Sequence, residues 1–285
     1  MILLKKIFYD IILYLHKFKT FQIISNLYMN AYFINRGYCF DWDYLMNMSP
    51  NNLFKGENIL ISKFKDLKIK NCIDVGCNRG DFSKEILKNE NTKVIAFEPL
   101  PGCQEYLKNI KYIYNTRFVY FECALSKKNG FTKIYFNDDK SELASLEKST
   151  HNVSYLKDQN KNSLKVILKK LDSFIDHDNF NNIDFIKIDT EGHEMSVLEG
   201  GLDFIQKHKV KLIQIEFNWH HLFTKNTIFQ FSEILDNYVV TQMNLINGKL
   251  VEIDKNHFFS NIFQLTNIIF IEKKFFKKNR DTLVY

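Results

Sequence analysis

Two short stretches concentrate the residues able to do chemistry. The first is Asp74-Val75-Gly76-Cys77-Asn78-Arg79-Gly80, followed by Glu98-Pro99. The second is Asp189-Thr190-Glu191-Gly192-His193-Glu194, followed by Glu216. Gly76 lets the backbone bend and approach a ligand, and Gly80 permits close contact where a helix begins. Asp74 and Asp81 bracket that turn with negative charge, which favours a cationic ligand over an anionic one. Glu98 can accept hydrogen bonds from both ribose hydroxyls of an adenosine, and Pro99 stiffens the turn beneath it. Four ionisable groups within Asp189–Glu194, at the end of an apolar strand, are costly to hold unless a site uses them.

The spacing also separates two adenosine ligands. A GxGxxG dinucleotide turn starting at Gly76 needs glycines where this chain has Asn78 and Asp81. A pyrophosphate wants bare amides at a helix N-terminus. S-adenosylmethionine carries a sulfonium and an ammonium and no phosphate, so flanking carboxylates suit it. The competing readings are a nicotinamide-dependent oxidoreductase or epimerase on a similar fold, and a non-catalytic module that binds a partner.

Within the second stretch, His193 is the side chain whose proton moves near neutral pH. Asp189 can orient it, bind an acceptor, or contact the methionine end of the cofactor. Glu191 and Glu216 are further acid–base candidates. The structural alternatives are a His193 that only fixes the turn, and acidic residues that only cap the helix start. Asp189, Glu191, His193 and Glu216 can also ligate a divalent metal, although no spacing demands one. Lys187, two residues before Asp189, shares its strand face and is placed to neutralise the cluster.

These residues need a parallel sheet behind them. Asn71–Val75, Lys93–Glu98 and Arg117–Ala124 read as strands, with helices from Asp81–Leu87 and Pro101–Ile110 between them. Thr132–Phe136 and Lys165–Leu168 read as extra strands around a long polar loop, 137–162. The alternation resumes with strand Ile183–Asp189, a helix over Met195–Lys207, strand Lys211–Phe217 and a helix near Thr227–Leu235. Tyr238–Met243 and Asn267–Ile271 supply the last strands. The fold class is α/β, a doubly wound, mostly parallel Rossmann-like sheet with an N-terminal helical extension. Residues 1–60 form that extension and 61–285 the catalytic domain, with a turn expected at Ser49-Pro50-Asn51-Asn52.

Composition sets the surroundings. The chain is 45% hydrophobic and 25% charged, as a globular domain is. Its net charge of +6 is spread thinly, and its densest basic stretch, Lys273–Lys278, reads as a solvated terminus rather than a nucleic-acid groove. Five cysteines without a CxxC pair fit reduced thiols in the cytoplasm. Lys5, Lys6 and Asp10 interrupt the apolar N-terminus, so neither a membrane span nor a signal peptide is expected. Leu4, Phe8, Ile11, Leu15 and Phe18 recur at helical spacing. They give an amphipathic helix that packs on protein, with peripheral membrane contact as the alternative.

Several segments together resemble the FkbM-type methyltransferases. They are IDVGCNRGDFS (73–83), AFEPLP (96–101), CALS (123–126), ASL (144–146), LDSF (171–174), DFIKIDTEGHEMSVLEGG (184–201) and IQIEF (213–217). They span roughly Cys72 to Phe217, and the KIDTEGHE run is the most specific. The resemblance implies a class I methyltransferase that uses S-adenosylmethionine to methylate a hydroxyl of a sugar, glycan precursor or related metabolite. It also implies cofactor contacts from Asp74, Gly76, Asn78, Gly80, Glu98, Pro99, Cys123, Ala124 and Asp189, with the long loop around Ser145 at the mouth. Where the family usually has Ala at 77 and often Asn at 123, this chain has Cys77 and Cys123. The first change is small for small; the second falls where a third-strand residue would approach the adenine.

Overall fold

The computed structural model describes residues 50–152, 161–243, 250–261 and 265–284. Asn52–Tyr285 forms a compact unit, and the expected N-terminal amphipathic helix lies outside the described residues. Along the chain run α1 (Pro50–Ser62), β1 (Asn71–Val75), α2 (Asp81–Leu87), β2 (Lys93–Phe97), α3 (Gln104–Tyr114), β3 (Phe118–Phe121), β4 (Ala124–Leu125) and β5 (Gly130–Phe136). Then follow β6 (Asn162–Lys169), β7 (Phe185–Ile188), α4 (Glu194–Glu199), α5 (Leu202–His208), β8 (Leu212–Phe217), α6 (His220–Thr224) and α7 (Ile228–Ile234). Strands β9 (Tyr238–Met243), β10 (Leu250–Glu252) and β11 (Thr266–Glu272) precede α8 (Lys273–Val284).

The main sheet has the order β10-β9-β11-β8-β7-β1-β2-β3. Strands β3, β2, β1, β7 and β8 are mutually parallel, and β11 lies antiparallel between β8 and β9. This is the expected doubly wound architecture. The strand order reverses at β1, which sits between β2 and β7, so a crevice opens beyond the C-terminal ends of those strands.

Strand alternation divides the core between the two faces of this sheet. Ile73, Val75, Ile186, Ile188, Ile213 and Ile215 face one side with Phe174, Phe180, Phe204 and Phe231. Cys72, Val94, Ala96, Phe185 and Leu212 face the other with Leu60, Phe64, Phe82, Ile86 and Leu107. Burying each large side chain contributes roughly 1.5–3 kcal/mol, which explains near-continuous apolar runs in strands covered on both faces. Helix α1 belongs to this packing, since Leu60 is buried and the Phe64 ring, just beyond the helix, packs tilted at 55° with its centroid 5.1 Å from that of Phe185. The turn expected at Pro50 is therefore a helix start, with proline at a first-turn position where its missing N–H costs nothing.

Three further expectations are corrected. Arg117–Ala124 is not one strand: β3 ends at Phe121, and Ala124–Leu125 pairs with β6 in a separate β4-β6-β5 sheet. The tail Lys273–Lys278 is not merely solvated; it lies in α8, which buries Phe276 and Leu283 while its lysines stay exposed. The helix over 195–207 is broken in two at Gly200-Gly201. A Cβ on Gly200 would run into the carbonyl of Ser126, and one on Gly201 would stand 3.0 Å from the Leu171 side chain. The break lets the Asp172 N–H donate to the Gly200 carbonyl at 2.9 Å. The Asp172 carboxylate then accepts from the Phe204 N–H at 3.0 Å as α5 starts.

Gly200→Ala is expected to lower stability by about 1–3 kcal/mol, as overpacking against a fixed backbone does. A urea midpoint equal to wild type would show that the Ser126 segment yields freely.

Candidate active site

The turn after β1 is built by its exit from the sheet. The N–H groups of Gly76 and Cys77 both donate to the Phe97 carbonyl, at 2.9 and 3.2 Å, tying the turn to β2. Gly76 has φ +79°, and a Cβ there would strike the Asp189 carbonyl. Only glycine fits where the exits of β1 and β7 touch. Gly80, at φ +76°, lies against Leu107 and Ile110 of α3. Asp74 is fully buried and accepts from the Ser83 hydroxyl at 2.6 Å, which anchors the start of α2.

Glu98 stands across the turn with both oxygens engaged. They accept from the N–H groups of Asn78 at 2.9 Å and Leu100 at 2.8 Å. Burial pushes the Glu98 carboxyl up to about 7 despite those two amides. The Asn78 side-chain amide donates to the Ser141 carbonyl at 3.2 Å, so the long loop is stitched to the turn. Gly76, Asn78, Glu98, Pro99, Asp189 and Glu191 border a crevice at the end of β1 and β7. Leu100, Ala124, Leu125, Ile134 and Leu146 complete its apolar wall, so the small sheet of β4, β5 and β6 roofs the crevice.

The far wall is acidic. Ligand oxygens of Asp189, Glu191 and Glu216 lie within 4.8 Å of one another. The Asn218 side-chain amide donates to Glu191 at 3.3 Å and to Glu216 at 3.2 Å. Burial, Asp189 and Glu194 hold the Glu191 carboxyl well above the usual range. Burial, Asp189 and Glu191 do the same for Glu216. Behind Glu191, His220 Nδ1 approaches its Oε2 to 2.6 Å, and burial pushes that imidazole down. Lys187 serves this wall, donating to Asp189 at 2.9 Å. Burial alone would strip its proton, but Asp189, Glu57 and Asp74 hold the ammonium well above the usual value.

The expected site residues therefore separate. Asp189 and Glu191 line the crevice beside Gly76, Asn78, Glu98, Pro99 and Ala124. Glu216 joins the acidic wall behind them. Asp74 and Gly80 support the turn from beneath, and Cys123 is buried in the core beside Ile73 and Phe97. His193 stands apart: its ring nitrogens meet Glu147 at 2.6 Å and the Ser126 hydroxyl at 3.0 Å, and it does not border the crevice. An ion held by Asp189, Glu191 and Glu216 would not include it. Ser145 reaches the site through its hydroxyl, which donates to the Glu191 carbonyl at 2.7 Å and holds that residue at φ 54°.

Glu194 is a structural carboxylate. It accepts from the N–H groups of Thr190 at 2.8 Å and Gly192 at 3.1 Å, and its other oxygen meets His221 at 3.0 Å. Burial pushes it up, but the His221 charge and these hydrogen bonds prevail and bring it to about 2. Sequence reasoning missed Glu57, Asn218 and His220. Asn218 and His220 follow the end of β8, a position that could have marked them; Glu57 carries no such signal.

The family described as Methyltransferase FkbM domain matches residues 74–240, more than half of the chain. The chain belongs to the FkbM methyltransferase family, and its class of activity is S-adenosylmethionine-dependent methyl transfer. No curated protein matches it. Among solved structures, the methyltransferase domain of bacterial CtHen1 is similar at 14% identity and TM-score 0.41, over 77% of this chain and 99% of that one. The plantazolicin methyltransferase BpumL in complex with SAH is similar at 10% identity and TM-score 0.41, over 81% and 87%. Spermidine synthase from Thermotoga maritima is similar at 12% identity and TM-score 0.40, over 78% and 60%. Likenesses at this level carry no inference about chemistry.

Because Glu194 sits at about 2 in the folded chain against an ordinary 4.5, its stabilisation is complete above pH 4.5. That contribution disappears as pH falls towards 2. Glu194→Gln is expected to remove roughly 3 kcal/mol at neutral pH and to flatten the acid limb of stability. An acid limb unchanged in denaturant titrations from pH 2 to 5 would refute this.

Proposed function

We propose that this chain transfers the methyl group of S-adenosylmethionine to a hydroxyl oxygen of a small-molecule or glycan acceptor, and works in the cytoplasm. The observation that carries this reading is the acidic wall of Asp189, Glu191 and Glu216 facing a turn that suits an adenosine. Lys187 is the ammonium held against this wall, and burial and mutual repulsion lift Glu191 and Glu216, so the crevice favours an arriving cation and disfavours an anion. A sulfonium and an α-ammonium meet that need, whereas a pyrophosphate would add to the repulsion. Family membership supports the cofactor, and the glycines expected of a dinucleotide turn are replaced by Asn78 and Asp81. Among the described residues, no helix is long and apolar enough to cross a membrane.

The residues divide the task by position. Glu98 accepts from the ribose hydroxyls, while Leu100, Leu125 and Ile134 pack the adenine. Asp189 faces the cationic end of the cofactor, which supplies an electrophilic methyl on a sulfonium. Glu191 borders the crevice and is raised in basicity by burial, so it is placed to take the acceptor proton. His220, 2.6 Å behind it, stabilises the protonated carboxyl. His193 is a positioning residue in this scheme, joining Glu147 of the long loop to Ser126 after β4.

Two measurements test the scheme. Ribose binding needs ionised Glu98, whose carboxyl sits at about 7 when the site is free. Affinity for S-adenosylhomocysteine is expected to rise as pH passes through 7, and Glu98→Gln to abolish that rise and cost ~1.5–3 kcal/mol of binding. A pH-independent dissociation constant, or tighter binding of NAD, would count against the assignment. Glu191→Gln is expected to lower turnover about 10²–10⁴-fold with little change in that affinity. Turnover would be followed as a fourteen-dalton gain in extract glycans and metabolites. Activity abolished by EDTA and restored by magnesium would instead give Asp189, Glu191 and Glu216 a metal-holding role.

A further inference from the structure

Asp74 of β1, Lys187 of β7 and Gln214 of β8 stand side by side on adjacent strands, each in register with the next. Asp74 and Gln214 are fully buried and Lys187 is 8% exposed. Glu57 of α1 closes over this row. Its Oε1 accepts from the Gln214 side-chain amide at 2.5 Å and from that of Asn267 at 3.4 Å, and lies 3.7 Å from Lys187 Nζ. On its other side, Lys187 Nζ donates to Asp189 at 2.9 Å, with the Phe82 ring centroid 4.6 Å away. One boxed-in ammonium is thus shared between a carboxylate that borders the crevice and one that does not. Glu57 and Asn267 both lie outside the family-matched stretch 74–240.

We infer that Glu57 is a positioning residue for the cofactor: by sharing Lys187 from behind, it leaves part of the negative charge of Asp189 uncompensated towards the crevice. This rests on the reading above that the cationic end of S-adenosylmethionine lies against Asp189. Burial raises the Glu57 carboxyl while Lys187 pulls it back down; with both carboxylates ionised, Glu57, Lys187 and Asp189 together carry one net negative charge, and with Glu57 neutralised, Lys187 and Asp189 cancel. The ammonium cannot move off to solvent, because Glu57, Gln214 and Phe82 enclose it. In so dry a setting, a change of one charge is felt across several ångströms. A helix that merely needed anchoring could use an apolar residue here at no desolvation cost.

The two cofactor forms provide the test, since S-adenosylmethionine carries the sulfonium charge and S-adenosylhomocysteine does not. Calorimetry on the full chain would measure both dissociation constants for wild type, Glu57→Gln and Glu57→Asp. Glu57→Gln retains the volume and a partner for Gln214, and is expected to weaken S-adenosylmethionine about fivefold more than S-adenosylhomocysteine. Glu57→Asp keeps the charge and is expected to restore the wild-type ratio even if its melting temperature falls. A ratio unchanged in Glu57→Gln, both ligands weakening equally or not at all, or a ratio shifted in Glu57→Asp as far as in Glu57→Gln, would overturn the inference and leave Glu57 as a helix anchor. Wild-type protein that binds neither ligand would instead remove the cofactor reading, and this inference with it.

Discussion

A single buried ammonium governs the arrangement of this molecule. Lys187 touches Asp189 and Glu57, and Asp74 and Glu216 also act on it. Removing it would leave several carboxylates in a dry interior, a cost of about 3–5 kcal/mol for even one broken buried pair. Satisfying it requires β1, β7 and β8 to hold their register and α1 to lie over them. The same charge therefore ties the core to the crevice, and packing on one face of the sheet bears directly on the site at its edge.

The motif Asp189–Glu194 is best understood as two interlocked devices. Asp189 and Glu191 face the crevice, while His193 and Glu194 turn inward. Glu194 wraps the turn by accepting from its amides, and His193 reaches out to Ser126 and Glu147. Holding Glu191 in a left-handed conformation costs on the order of 1–3 kcal/mol, and the Ser145 hydroxyl and these inward contacts offset it. Four ionisable side chains in six residues thus reflect two that border the crevice and two that hold them in place.

Much of this was legible in the sequence, and the exceptions have physical causes. Parallel strands buried on both faces announce themselves as apolar runs, so β1, β2, β7 and β8 and the acids at their ends could be read directly. Helical periodicity through Val197, Leu198, Leu202 and Ile205 hid the break at Gly200-Gly201, because pattern cannot sense the approach of the Ser126 backbone. The role of His193 depends on Glu147 and Ser126, which come from distant segments. Glu57 was illegible for the same reason: its meaning is created by Lys187, which lies far along the chain.

The contact between Gly76 and the Asp189 carbonyl bears on how such a protein can diversify. The loops leaving β1 and β7 are each other's wall, so lengthening either would dislodge the other, and both are closed to insertion. The roof formed by β4, β5 and β6 hangs from the crevice by a few hydrogen bonds from Asn78, Ser145 and His193. The crevice-facing side chains of that roof, Leu125 and Ile134 among them, are therefore freer to vary than the floor beneath them.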